Sequence, residues 1–259
     1  MNSRYTKSLK KAAVLFVSLC LFTGISFAHE PLYGHGPDVL FKGALNPHLS
    51  FQFERYRTEN EVAFGYGITR NLTGVVETSF ISESGKYNME SFMLKLNYRF
   101  YKADKQGLSY KAAFITELEL PIMTDEDEMF HCALTAGQEA LRFYWFSFIG
   151  CKYNLANNSL ARGNQADYGI ALGMRFNKAD YYKPDLVLLL ESTGTSYQRS
   201  ETKNDEPTSA GGNSFKMAPT FIFTYRNWAL RGGVQFGVYN SADIENTDTN
   251  AKIAIEVHI

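Results

Sequence analysis

The sequence predicts an all-β protein: a transmembrane, antiparallel up-and-down β-barrel of about 12 strands, preceded by a signal peptide. Three observations carry this. Long stretches alternate apolar and polar residues with period two, polar connections on one side of the strands are mostly longer than those on the other, and the chain opens with an export signal. The clearest alternation is Ser91 to Phe100, where Phe92, Leu94, Leu96, Tyr98 and Phe100 share one face and Ser91, Lys95, Asn97 and Arg99 the other, with Met93 among them. A helix needs apolar residues at i, i+3, i+4 and i+7, and that spacing here mixes Phe92 with Lys95 and Leu94 with Asn97.

The export signal is residues 1–28. Arg4, Lys7, Lys10 and Lys11 precede the apolar run Ala12 to Phe22, and Ser26-Phe27-Ala28 places small residues where a signal peptidase reads them. The run is too short for a membrane helix, and Leu19 before Cys20 is not a lipoprotein cleavage context. Loss of these residues removes four bases and no acid, leaving 22 Lys+Arg against 27 Asp+Glu, which excludes a nucleic-acid partner. A mean hydropathy of -0.25 fits a barrel, because only alternate residues meet lipid.

Residues 29–46 are rich in Gly and Pro without a period and are read as an extended leader, packed at the periplasmic rim or inside the lumen; 47–259 form the barrel. Leu49, Phe51 and Phe53 mark the first strand, and Val62, Phe64, Tyr66 and Ile68 the second. A hairpin loop Thr69-Arg70-Asn71 then places Ile68 opposite Leu72, with Asn71 as its left-handed residue. Leu72 to Phe80 is third and Ser91 to Phe100 fourth, with polar loops at 82–88 and 102–107. Leu108 to Leu120 is fifth, with Tyr98 opposite Tyr110 and Asn97 opposite Lys111. Strands six and seven run from about Phe130 to Gln138 and Phe143 to Tyr153, with aromatics on both faces.

Strand eight covers Asp167 to Phe176 and strand nine Leu186 to Glu191, followed by the longest polar stretch, Ser192 to Ser214. Phe215 to Tyr225, Leu230 to Tyr239 and Ala251 to Ile259 complete the set. Pro219 cannot donate to a ladder, so a bulge is expected there. Leu141-Arg142 as a two-residue turn sets Cys132 opposite Cys151, a candidate disulfide in an oxidising compartment.

From His29-Glu30-Pro31-Leu32-Tyr33-Gly34-His35-Gly36-Pro37 through Tyr66-Gly67-Ile68-Thr69, Leu118-Glu119-Leu120-Pro121 and Arg226-Asn227-Trp228-Ala229-Leu230 to Gly233-Val234-Gln235, the chain resembles outer-membrane transporters of the phenol-degradation meta-pathway type. The resemblance covers most of the mature chain. It implies a barrel in the bacterial outer membrane that passes small solutes, with small hydrophobic or aromatic compounds as candidate cargo. The departure is Ile259, where such barrels usually end in an aromatic residue.

Lys95, Arg99, Lys111, Glu117, Glu119, Arg175, Glu191, Arg231 and Glu256 fall on the polar face and are the candidate lumen-lining residues. The expected partners are outer-membrane lipid, lipopolysaccharide and a small-molecule solute. An acidic loop, Asp125-Glu126-Asp127-Glu128, is suited to bridging lipopolysaccharide through divalent cations. His131 beside Asp125 and Asp127 is the one acid and histidine pairing of catalytic type, and a solvated loop accounts for it better, so neither an enzyme nor a cofactor is expected. The amino group and imidazole of His29 with His35 nearby offer copper ligands, against a plain leader as the favoured reading. The alternative function is a non-conducting binding or scaffold barrel, metal-associated through that leader.

Overall fold

The computed structural model describes residues 30–55, 57–83, 86–122, 128–155, 160–161, 163–177, 182–198, 200–202, 207–209, 211–241 and 249–259. The signal peptide, His29, and Asp125 to Asp127 lie outside the described residues. The barrel strands are β1 (Leu45–Phe53), β2 (Arg57–Gly67), β3 (Leu72–Glu83), β4 (Lys86–Lys105), β5 (Leu108–Pro121), β6 (Glu128–Ala140) and β7 (Phe143–Leu155). They continue, after the short β8 (Leu160–Ala161), as β9 (Gln165–Arg175) and β10 (Asp185–Tyr197). Past β11 (Ser200–Thr202) and β12 (Pro207–Ser209) come β13 (Gly212–Tyr225), β14 (Trp228–Asn240) and β15 (Asn250–Val257). Twelve of these close into one antiparallel barrel in chain order, and β8, β11 and β12 form a separate small sheet.

Closure is made by β1 against β15, with Leu49 opposite Ile255 and Phe51 opposite Ile253. Leu45 and Ile259 then exchange both backbone hydrogen bonds, at 2.8 and 2.9 Å. Among the described residues the closed barrel itself leaves no strand edge for another chain to pair with. The apolar face points outward: Phe64, Leu96, Leu134, Ile149, Leu172, Leu188 and Phe223 are all well exposed, with Leu172 55% accessible. Residues one step away, such as Ala63, Asn97, Ala133, Ala171 and Val187, are buried. An apolar belt around a closed barrel with a partly polar interior is a lipid-facing surface, the inverse of a water-soluble protein.

Several registers differ from the sequence reading. β4 runs 20 residues, reaching into both expected loops, and turns at Gln106-Gly107, where Gly107 adopts φ 70°. Tyr98 therefore faces Phe114 and Asn97 faces Ile115, and a bulge between Arg99 and Tyr101 puts both Phe100 and Tyr101 outside. The charged residues Lys102, Asp104 and Lys105 read as a loop, yet beyond the apolar belt a strand has no need of apolar residues. For the same reason β10 continues past Glu191 through Ser192, Thr193, Gly194 and Thr195 to Tyr197.

Ile68 does pair with Leu72. Among the described residues, however, the left-handed non-glycine is Arg226 (φ 53°), in the Arg226-Asn227 turn, and not Asn71. Pro219 stays in register opposite Leu190. Its other neighbour accommodates the missing donor: the β13–β14 pairing passes over Ala218 and Pro219 between Met217↔Phe236 and Thr220↔Gly233, and the bulge lies at Phe215/Lys216.

Candidate functional site

The leader lies inside the barrel. Its residues have no regular structure, so their backbone polar groups need other partners, and the strand walls supply them. Leu40 N–H donates to Thr73 Oγ1 of β3 at 2.8 Å, and Asn97 Nδ2 of β4 donates to the Asp38 carbonyl. Thr135 Oγ1 of β6 donates to the His35 carbonyl at 3.0 Å. The Glu191 carboxylate of β10 accepts both Leu32 N–H (2.8 Å) and Tyr33 N–H (2.9 Å), and Arg231 of β14 donates to the carbonyls of Glu30 and Pro31. The leader thus crosses the lumen from β3 to β14.

It leaves the barrel beside Gly67, where a Cβ would come within 1.8 Å of the Phe41 carbonyl oxygen; only glycine admits the chain there. Aromatic residues follow the same logic. Tyr144 and Phe146 point inward with Ala171, Val187, Leu189 and Ile222 in a buried apolar cluster. Phe148 meets the His35 ring edge-on at 5.0 Å. These inward rings are why β7 shows aromatics on both faces.

Charge is arranged in pairs. Lys111 bonds Asp38 of the leader and Glu139 (3.2 Å); Lys95 lies 3.1 Å from Glu117; Arg175 Nε donates to Asp185 at 2.8 Å; Arg231 pairs with Glu256. Lys252 pairs with Glu61 at 2.9 Å, and Ser50 donates to the same carboxylate. Arg99 sits at the β2–β3 turn, donating to the Arg70 carbonyl at 2.7 Å, and Glu119 stands between Met93 and Met129 on the neighbouring strands. Within the leader, burial pushes the Glu30 carboxyl up to about 7 and Asp38 up to about 6, the latter against the pull of Lys111. Burial also lowers the His35 imidazole to about 4, so it is neutral.

Beside the leader a cavity of about 390 Å³ is lined by Glu61, Glu77, Lys95, Arg231, Lys252 and Glu256, among others. Both signs of charge face it. His131 does not belong to a solvated loop but is fully buried in the wall, its Nδ1 2.8 Å from Glu117 Oε2 and its Nε2 3.2 Å from Asp167 Oδ1. Glu117 and His131 are directly opposed on β5 and β6, a pairing the sequence alone leaves open without that register. Asp167 reaches His131 across Gly150, whose missing side chain is the one local signal.

Cys132 and Cys151 face each other across β6 and β7, on the outward side with Leu134 and Ile149, as two free thiols.

No protein-family model and no curated protein matches the chain. Solved structures do. It is similar to an outer membrane channel from Pseudomonas putida F1, with a TM-score of 0.58 and 13% identity over 90% of this chain and 100% of that one. It is also similar to the NanC porin, with a TM-score of 0.54 and 10% identity over 82% of this chain and 98% of that one. At such identities the likeness is one of architecture, and the chain shares with these outer-membrane proteins a closed antiparallel barrel, here of twelve strands.

Proposed function

We propose that the protein is a narrow channel of the bacterial outer membrane for small polar solutes, with the leader as its constriction. The observation that carries this is the cavity of about 390 Å³ left beside the leader, lined by charges of both signs. Twelve strands enclose less room than the sixteen to eighteen of general porins, and the leader takes part of it. Paired charges along such a path favour polar cargo over the small hydrophobic or aromatic compounds that a meta-pathway transporter would carry. Lys95, Glu117, Arg231 and Glu256 are the lining residues this reading uses; they bind and orient solute and perform no chemistry.

A second reading has its own support. Side chains of five strands hydrogen-bond the leader's backbone, as in a barrel plugged for binding. Planar-bilayer recording separates the two. The full mature protein is expected to give small, reproducible conductance steps, and deletion of residues 30–41 to enlarge them severalfold. Unchanged steps would remove the leader as constriction, and silent bilayers for both proteins would favour the binding barrel.

A further inference from the structure

His131 is flanked on both ring nitrogens by carboxylates, Glu117 at Nδ1 and Asp167 at Nε2. A neutral imidazole carries one N–H, so the two contacts are satisfied together either by an imidazolium donating from both nitrogens or by a cation held at one of them. His35 brings a second imidazole to the same place, its Nδ1 3.9 Å from Glu117 Oε1 and its ring centroid 5.1 Å from that of His131. Donor atoms of His35, Glu117 and His131 all fall within 4.8 Å of one another. In a tetrahedral site with bonds of about 2.0–2.1 Å, neighbouring ligand atoms stand about 3.3 Å apart, so small side-chain shifts suffice.

We propose that His35, Glu117 and His131 form a site for a divalent transition ion of the zinc type, which ties the leader to the barrel wall. Two imidazoles and one carboxylate suit such an ion, with water as fourth ligand. Asp167 takes the Nε2 proton of His131 and turns Nδ1 toward the ion, the usual carboxylate support behind a ligating histidine. Glu117 coordinates through Oε2 and keeps Oε1 for Lys95, whose charge limits the affinity.

The surroundings are shaped for these groups. A Cβ on Gly150 would fall 2.5 Å from His131 Nε2 and 2.6 Å from Asp167 Oδ1, so this glycine makes room for the pair. His35 is held by Thr135 at its carbonyl and by Phe148 at its ring. The site stands whether or not the barrel conducts.

The test is titration of the full mature protein, refolded in detergent micelles, with Co²⁺ as a visible probe and Zn²⁺ as competitor. One equivalent should bind with the absorption of a tetrahedral nitrogen and oxygen site and be displaced by Zn²⁺. His35→Gln and His131→Gln should each weaken binding at least tenfold. Heat-modifiable gel migration checks that each variant is a closed barrel. If His131→Gln does not fold, His35→Gln decides, since the leader is not part of the barrel wall. Absence of stoichiometric binding, equal affinity in His35→Gln, or binding that disappears only when His29 is removed would each overturn the site.

Discussion

Glu191 holds Leu32 in place: one oxygen of this buried β10 carboxylate accepts the Leu32 N–H at 2.8 Å, while the other takes Tyr33 N–H and Thr220 Oγ1 shares the first. A hydrogen bond to an ionised group contributes about 1.5–3 kcal/mol. Glu191→Gln keeps the shape and loses the charge, so the docked leader should weaken by roughly tenfold or more at that lower bound. Protease cleavage within residues 30–41 of the purified barrel should speed up accordingly, with the strands still resistant; an unchanged cleavage rate would show that Glu191 does not anchor the leader.

The buried pair Lys111 and Asp38 gives a different pattern. Removing one partner strands a charge and costs about 3–5 kcal/mol, while replacing both by apolar or neutral residues costs far less. Lys111→Met should therefore be more disruptive than Lys111→Met with Asp38→Asn. Thermal unfolding of the four proteins of that cycle measures the difference, and additive losses would rule out direct coupling.

Acidity should act on the leader through Glu30. Its carboxyl is raised by burial to about 7 from an ordinary 4.5, so the docked state favours the protonated form. That contribution is complete below about pH 4.5 and lost as the pH rises through 7. His35 works in the opposite sense, its contribution present above about pH 6.5 and lost as the pH falls through 4. Below about pH 6.5 these two contributions offset each other and above it Glu30 acts without His35, so leader cleavage by protease should increase between about pH 6.5 and 8 in the native protein, and Glu30→Gln should flatten that rise. A pH profile identical in both would exclude Glu30 as the titrating group.

Cys132 and Cys151 are cross-strand partners on the lipid side. Directly opposed residues stand within disulfide reach, so mild oxidation with diamide should link them within one chain and leave the barrel folded. Mass spectrometry of the peptides reads this out. Failure to form an intramolecular bond would contradict the β6–β7 register.

That register is the most legible part of the sequence, because the short turn Leu141-Arg142 fixes every pair beyond it. Alternation likewise exposed β9 and the middle of β4, where one face meets lipid. It failed at Lys102 to Lys105 and at Ser192 to Tyr197, since strands outside the lipid need not alternate. It failed again at Tyr144, Phe146 and Phe148, since their inward rings pack an interior that is partly apolar and occupied by the leader. The His35, Glu117 and His131 grouping was hidden for another reason: His35 has no periodic neighbours to give it a face, and its place depends on contacts far along the chain.

The leader's bonds to Arg231 join residues 200 and 201 positions apart. Contacts between such distant residues carry the largest loop-closure cost and form late. Each hairpin of the wall can pair from local turns, but the leader's partners on β3, β6, β10 and β14 come together only as the circle is completed. Leader placement therefore follows closure, and the residues that precede the barrel in the chain are the last to find their positions, which makes a seated leader a mark of finished assembly.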